Sequence, residues 1–346
     1  MLNLKNGNLL KDDAEALVNT VNTKGVMGKG IALQFKQAYP AMYKLYEKDA
    51  KSGEITIGKI HVYDNGALAD GPRWILNFPT KNHWRSKSKI TDIEAGLQDL
   101  AEKVKTLNIK SIAMPPLGCG LGGLRWEDVL PLIEKHLGNL EGVETHIYPP
   151  SESPSAKSAI INTKKPKMTK SSASIILLID KYLAGQLAPF ITLLEIHKLT
   201  YFLQESGLDL KLKFEPKSYG PYAKNLRHVL IRMDGHYLEG YGDGYDKPSK
   251  PLNLKEGAIE EAEDFLKSDP QLLERLELIA YLIEGFEDPY GLELLSTVYW
   301  VKSKQHRVAE EEIISSIHSW NNRKKNTMKV EHIIKANSHL EHRNLL

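Results

Sequence analysis

Two glycine-bearing segments constrain the fold of this chain more than any other feature. One reads Met27-Gly28-Lys29-Gly30-Ile31-Ala32, the other Leu117-Gly118-Cys119-Gly120-Leu121-Gly122-Gly123-Leu124. Each lies between a strand-like apolar run and a helix-like periodic run. Glycine lets the backbone approach a ligand closely and aim successive N–H groups at it. A helix that starts directly behind such a loop adds a partial positive charge. Between the two segments lies Asn77-Phe78-Pro79-Thr80-Lys81. Two such loops in one small domain point to a ligand with a diphosphate held from both sides, and they make Lys81 the reactive group to test.

Residues 1–149 alternate strand and helix signals. Ala16–Val21 suits a buried strand, and a helix follows Gly30 until Pro40 ends it. Lys59–Tyr63 and Trp74–Phe78 read as further strands. Thr91 with Glu94 has the form of a capping box, opening a helix with the apolar stripe Ile93, Leu97, Leu100, Val104 and Leu107. Ser111–Met114 is a strand leading into the second glycine loop. Trp126–Leu137 is a helix with Pro131 expected near its first turn, and Val143–Tyr148 closes the pattern. The expected fold is α/β with a mostly parallel sheet.

From 150 to 173 the texture changes. Pro149-Pro150, Ser151, Ser153, Pro154, Ser155, Lys164-Lys165-Pro166-Lys167 and Ser171-Ser172 read as a flexible basic linker. Residues 174–346 read as a mainly helical domain, with helices over Ile175–Leu183, Ile191–Gln204 and Asn225–Met233. Further helices are expected across 257–268, 271–284, 291–304 and 309–319. The overall net charge of +2 says little, but Glu256 to Glu293 holds twelve acids against Lys267 and Arg275, a local net charge of −10. Such a run is either the solvated face of ordinary helices or an acidic surface that meets a basic partner or imitates nucleic acid.

With 346 residues, two or three domains are expected, and 41 % apolar with 26 % charged residues is ordinary for a soluble globular protein. The single cysteine, Cys119, excludes an intramolecular disulfide and makes a cysteine-based zinc site improbable. No metal-ligand spacing joins His61, His136 and His146. No metal and no cofactor are therefore expected. No apolar run of membrane-spanning length and no signal-peptide pattern is present, so a cytoplasmic protein without membrane partners is expected.

Gly118, Gly120 and Gly123 match a dinucleotide-binding G-x-G-x-x-G. That motif should follow the first strand of its unit, with an acid ending the next strand. Here it comes late, and the following strand ends in Pro149-Pro150, so a nicotinamide oxidoreductase fits poorly. Turns requiring positive φ explain some of the glycines but not two loops of this composition.

Five segments in order carry a resemblance: Gly7–Leu10, Ala16–Asn22, Met27–Ala32, Asn77–Lys81 and Gly118–Gly122. On them the first 150 residues resemble a macrodomain, the three-layer ADP-ribose-binding fold with helices on both faces of a mostly parallel sheet. Within that fold the chain resembles the DNA ADP-ribosyl glycohydrolase antitoxins, with the terminal ADP-ribose protein glycohydrolases as a neighbouring class. The resemblance implies that Asn8 and Leu9 contact the adenine end, where many macrodomains carry Asp in place of Asn8. It implies that Asn22 and the backbone of Gly28, Lys29, Gly30 and Ile31 hold the distal ribose and a phosphate. Thr80 lies in the same site, and Gly118, Cys119, Gly120, Leu121 and Gly122 cradle the diphosphate.

Lys81 matches the catalytic lysine of that family. A desolvated, neutral lysine can attack the anomeric carbon of the distal ribose, and a protonated one can stabilise a departing group. The protein glycohydrolases pair this lysine with an aspartate at a position that is Gly122 here, so their two-residue mechanism does not transfer. His83, Trp84 and Arg85 follow. Trp84 and Arg85 could stack on a base and contact a DNA phosphate, or be a packed rim residue and a solvated charge.

In the second domain, Leu194–Phe202 and Ser218-Tyr219-Gly220-Pro221-Tyr222 resemble the SocA-like, or Panacea, antitoxin domain, a helix-rich module that neutralises partner toxins. The resemblances together imply an antitoxin that removes ADP-ribose from single-stranded DNA and binds its cognate toxin, a DNA ADP-ribosyltransferase. The alternatives are a non-catalytic ADP-ribose reader and a protein-directed hydrolase acting on modified Asp or Glu.

Overall fold

The computed structural model describes residues 1–67, 71–150, 159–186, 190–304 and 309–343. Ser151, Ser153, Pro154 and Ser155 of the expected linker lie outside the described residues. The chain divides into two compact units, Met1–Lys164 with Asp243–Tyr245, and Lys165–Gly242 with Asp246–Leu346. No described helix is long and apolar enough to cross a membrane.

The first unit holds a six-stranded sheet. Its strands are β1 (Leu2–Leu4), β2 (Ala16–Asn22), β3 (His61–Asp64), β4 (Trp74–Lys81), β5 (Ser111–Met114) and β6 (Glu144–Ile147). They lie in the order β1-β6-β5-β2-β4-β3. Every pair is parallel except β3 with β4. Helices α1 (Gly30–Ala38), α2 (Pro40–Ser52), α3 (Ile90–Thr106) and α4 (Trp126–Leu137) cover it. Alternate residues of β2 face opposite ways, as the pleat requires. Val18, with Leu76, Phe78 and Ile112, packs on Leu97, Leu100 and Ile133. Leu17 and Val21, with Ile75, pack on Phe35, Met42 and Tyr46. The result is the expected three-layer α/β sandwich.

Some local expectations fail for physical reasons. Pro40 ends α1 but also sits at the first position of α2, where its missing N–H costs nothing. The Thr91–Glu94 box does not form: α3 starts two residues earlier than a Thr91 cap requires, with Lys89 at the N-cap position and no side-chain cap. Pro131 lies inside α4, in its second turn rather than its first.

The second unit contains α5 (Lys170–Ala184), β7 (Ile191–Thr192), α6 (Leu193–Glu205), β8 (Phe214–Lys217), β9 (Gly220–Ala223) and α7 (Leu226–Met233). After these come β10 (Leu238–Glu239), β11 (Pro251–Leu254), α8 (Ala258–Leu266), α9 (Pro270–Ile283), α10 (Pro289–Lys304), α11 (Glu310–Trp320), α12 (Asn322–Thr327) and α13 (Val330–Arg343). Helices α5 and α6 open on capping boxes, Thr169 with Ser172 and Thr192 with Glu195. The Thr169 cap starts α5 at Lys170, inside the stretch expected as linker. Residues 159–164 of that stretch belong to the first unit, where Asn162 donates to the carbonyls of Gln37 at 2.9 Å and Ala38 at 2.8 Å. The short strands, α12 and α13 were not foreseen.

The acidic run is less exposed and less unbalanced than its sequence suggests. Glu293 is buried. Lys165, Lys170, Lys181 and Arg343, all outside the run, pair with Glu261, Asp269, Glu277 and Glu284.

Candidate active site

The site forms at the carboxyl ends of three neighbouring parallel strands, β5, β2 and β4. Ligands of open α/β sheets bind in this place, because the loops and helix N-termini converge there. The last residue of β2 is Asn22, and the loop after it leads to Gly28–Ile31. The end of β4 carries Lys81, and the loop after β5 carries Gly118–Gly122.

Lys81 is placed by a register shift. Val21 pairs with Pro79, but Asn22 pairs with Lys81, so Thr80 is the extra residue of a bulge. The bulge sets Lys81 opposite Asn22 at the carboxyl end of the two strands. Thr80 is buried, and its hydroxyl donates to the Val21 carbonyl at 3.3 Å, so its side chain serves the strand junction. The Lys81 ammonium donates to the Leu121 carbonyl at 3.3 Å, linking β4 to the second glycine loop. Burial, aided by the nearby Lys87 charge, holds Lys81 below the ordinary lysine value. Both causes favour the free amine.

The second glycine loop holds unspent donors. The N–H groups of Gly118, Gly120, Leu121 and Gly122 meet no acceptor among the described residues. Gly118 and Gly122 are themselves buried. Gly120 and Leu121 are exposed. Buried backbone donors are nearly always paired, so two buried ones without acceptors among the described residues, beside two that face solvent, form an arrangement that can receive an anion. The loop is braced from below by Ser88, whose N–H donates to the Gly122 carbonyl at 3.0 Å. Its buried hydroxyl has no hydrogen-bond partner among the described residues.

The geometry at Gly122 leaves no room for a side chain unless the loop shifts. A Cβ on Gly122 would lie 2.3 Å from the Gly118 carbonyl oxygen and 2.3 Å from Ser88 Oγ. Burial pushes the Cys119 thiol up to about 11, with Glu127 adding to the effect, so it keeps its proton at neutral pH.

The remaining expected residues take more structural positions. The Asn22 side chain donates to the Val26 carbonyl at 2.6 Å and accepts from Lys24 N–H at 2.9 Å, so it shapes its own loop. The Tyr46 hydroxyl clamps the Asn22 backbone from α2. Asn8 caps a short 3-10 turn by accepting from Leu10 N–H at 3.0 Å, and Leu9 is buried in the α1–α2 face of the core. Gly30 has φ +62° and starts α1 behind the extended Lys29. Its N–H is spent on the Asp243 carbonyl at 2.8 Å within the same unit. Gly28 and Ile31 flank it. At the rim, His83 and Trp84 stack with ring centroids 3.8 Å apart, and Trp84 is 44 % exposed beside exposed Arg85.

Sequence reasoning missed Tyr46, Lys87 and Ser88, which carry no motif and reach the site only through the fold. It also missed a cluster of Asp12, Asp13 and His146, whose ligand-type atoms lie within 4.8 Å of one another. Asp12 there is already engaged by the Tyr148 hydroxyl and the His146 ring, both at 2.7 Å. The cluster therefore reads as a tie between the end of β6 and the segment after the 3-10 turn.

The Macro domain family model matches residues 18–133. A DNA ADP-ribosyl glycohydrolase of Thermus aquaticus is 47 % identical over 324 residues, spanning 94 % of this chain and 89 % of that protein. A DNA ADP-ribosyl transferase-DNA ADP-ribosyl glycohydrolase fusion protein of Thermosipho africanus is 39 % identical over 165 residues, 44 % of this chain and 42 % of that one. Among solved structures, the macrodomain of Mycobacterium tuberculosis DarG is 57 % identical, with a TM-score of 0.43, covering 44 % of this chain and 99 % of that chain.

Proposed function

The chain belongs to the DNA ADP-ribosyl glycohydrolase family, and from that premise we propose that its first unit removes ADP-ribose from bases of single-stranded DNA while its second unit binds the cognate DNA ADP-ribosyltransferase toxin. The observation that carries the catalytic part is the pairing of a depressed Lys81 with the unspent N–H groups of the second glycine loop. The loop fixes the diphosphate, which leaves the distal ribose at Lys81. The free Lys81 amine forms a bond to the anomeric carbon as the base departs with the bonding electron pair, and the proton lost by the new secondary ammonium goes to the departing base. Water then adds to that carbon, the amine leaves, and free ADP-ribose is released. Asn8 and Leu9 hold the adenine end through the turn they build, and Asn22, Gly28, Lys29, Gly30 and Ile31 form the wall at the distal ribose.

The closed space at Gly122 favours DNA over protein substrates, because the acid used by the protein-directed enzymes has no room. Trp84 and Arg85, outside the cradle, supply a stacking surface and a phosphate contact. The fusion protein of Thermosipho africanus, which joins a transferase and a glycohydrolase in one chain, supports a transferase as partner. The exposed acids of α8 and α9 are the surface we assign to that partner's basic face, where they stand in for single-stranded DNA. Reversing their charge should release the toxin, and unchanged binding would refute that assignment.

The reaction is tested with one single-stranded oligonucleotide ADP-ribosylated on a base and one peptide ADP-ribosylated on glutamate. Release of ADP-ribose from the oligonucleotide alone is expected. Release from the peptide alone would make this a protein-directed hydrolase, and binding without release from either would make it a reader.

A further inference from the structure

The second unit buries an unbalanced set of charges beneath the Ser218–Tyr222 segment. Glu293 on α10 is fully enclosed and already committed. Its carboxylate accepts from Arg323 at 2.6 and 2.9 Å and from Lys324 at 2.8 Å. Lys324, also enclosed, makes a further bond to Thr297 at 3.0 Å. Lys198 on α6 is 1 % exposed and lies against the same cluster. Both Lys198 Nζ and Lys324 Nζ fall within 4 Å of where a Cβ on Gly220 would stand, at 3.4 and 3.7 Å. Gly220, with φ +89°, lets the chain pass over the two ammonium groups.

The Lys198 ammonium has one acceptor among the described residues, the Pro221 carbonyl at 2.7 Å. An ammonium has three donors, so two stay unspent in an enclosed place that already holds more cations than carboxylates. Burial, reinforced by Lys324, draws Lys198 down to about 7. The neighbours supply only part of the missing charge. His197 is driven down to about 3 by burial and then by Lys198, and its Nδ1 accepts from Ala223 N–H at 3.4 Å. Asp246 faces the same space as a second carboxylate, accepting from the Tyr241 hydroxyl at 2.8 Å and the Tyr222 hydroxyl at 3.2 Å, which leaves Glu293 and Asp246 against Arg323, Lys324 and Lys198.

Lys198 forms part of the lining of a small cleft of about 50 Å³, walled by Leu193, Leu194, Tyr219, Tyr222 and Pro248, with Lys217, His197 and the hydroxyl-bonded Asp246 also lining it. That volume is of the order of one or two water molecules, which suits a carboxylate on a methylene and excludes a whole metabolite. The rest of such a ligand must lie outside, against exposed Tyr219 and Lys217. We propose that this cleft captures the side-chain carboxylate of a glutamate or aspartate presented by a partner polypeptide, with Lys198 as its buried counter-ion and the apolar walls gripping its stem. The pocket adds a second kind of contact to this unit: an acidic anchor received, beside the acidic surface displayed on α8 and α9. It does not depend on the glycohydrolase reading, because every residue in it belongs to the second unit.

The test uses the full chain labelled with ¹³C at the lysine ε-carbons, with the Lys198 signal followed by NMR. N-acetyl-glutamate methylamide should shift that signal saturably, toward the protonated lysine, whereas N-acetyl-glutamine methylamide should not. Leu194→Trp, which fills the cleft from its half-buried wall without touching the charges, should abolish the shift while the rest of the spectrum is retained. Lys198→Met should lose the response too, but the plugged variant decides the matter if the methionine variant does not fold. No response to the glutamate probe, an equal response to the glutamine probe, a response that survives Leu194→Trp, or an equal response to inorganic phosphate would each overturn the proposal.

Discussion

Replacing Gly122 by alanine tests how the glycine loop works. The added methyl would sit 2.3 Å from the Gly118 carbonyl oxygen and from Ser88 Oγ, whereas ordinary contact begins at 3.4 Å. One obstacle is backbone, so the loop itself must move by about 1 Å, and a hydrogen bond near 2.9 Å does not survive such a displacement. Hydrogen bonds to a charged group contribute about 1.5–3 kcal/mol each, so losing one or two from a bound diphosphate weakens binding by about 3 kcal/mol. That is a drop of about 100-fold in affinity for ADP-ribose. Gly120→Ala is the matched control: nothing lies within 4 Å of its added methyl, and its φ is ordinary. Calorimetric titration with ADP-ribose should find the Gly120 variant within about threefold of the parent, a difference of well under 1 kcal/mol. If the two variants bind alike, the idea that Gly122 is held by its neighbours and that the loop N–H groups carry the affinity is wrong.

Other expectations follow from the same geometry. The Lys87 charge helps to hold Lys81 below the ordinary lysine value. Lys87→Ala should therefore raise the Lys81 value and move the rising limb of the pH–rate profile to higher pH, and a shift to lower pH would contradict a free-amine role. Trp84→Ala should raise KM for a modified oligonucleotide by about tenfold, since stacking on a base contributes about 1–3 kcal/mol. Calorimetry with free ADP-ribose should see no change in that variant. Glu293→Ala leaves Lys324 and Arg323 without their carboxylate and should destabilise the second unit by about 3–5 kcal/mol, read by thermal unfolding of the full chain.

The sequence carried the framework of the site but not its fine placement. Glycine runs between apolar strand and helix patterns mark the loops after β2 and β5, because local backbone requirements leave a local signature. Pro79 and Lys81 could be placed at a strand end on the same grounds. The bulge that sets Lys81 opposite Asn22 could not, since it depends on how β2 and β4 pair across 59 residues of sequence. Ser88 under Gly122 has no pattern of its own. The same limit hid the cluster of Lys198, Glu293 and Lys324: Lys198 and Glu293 look like ordinary charges on helices, and only packing encloses them. The local count of −10 is correct for the run but overstates the imbalance in the fold for this reason too, because the counter-ions Lys165, Lys170, Lys181 and Arg343 come from outside the run.

The central claim is that Lys81 performs the chemistry while the glycine loops perform the binding. The most direct measurement compares the parent and Lys81→Ala on a single-stranded oligonucleotide ADP-ribosylated on one base, following free ADP-ribose, with calorimetric binding of ADP-ribose measured on both. The account predicts release by the parent only, with ADP-ribose affinity of the variant within a few-fold of the parent. Undiminished release by Lys81→Ala would contradict it, and so would a variant that fails only because it no longer binds ADP-ribose.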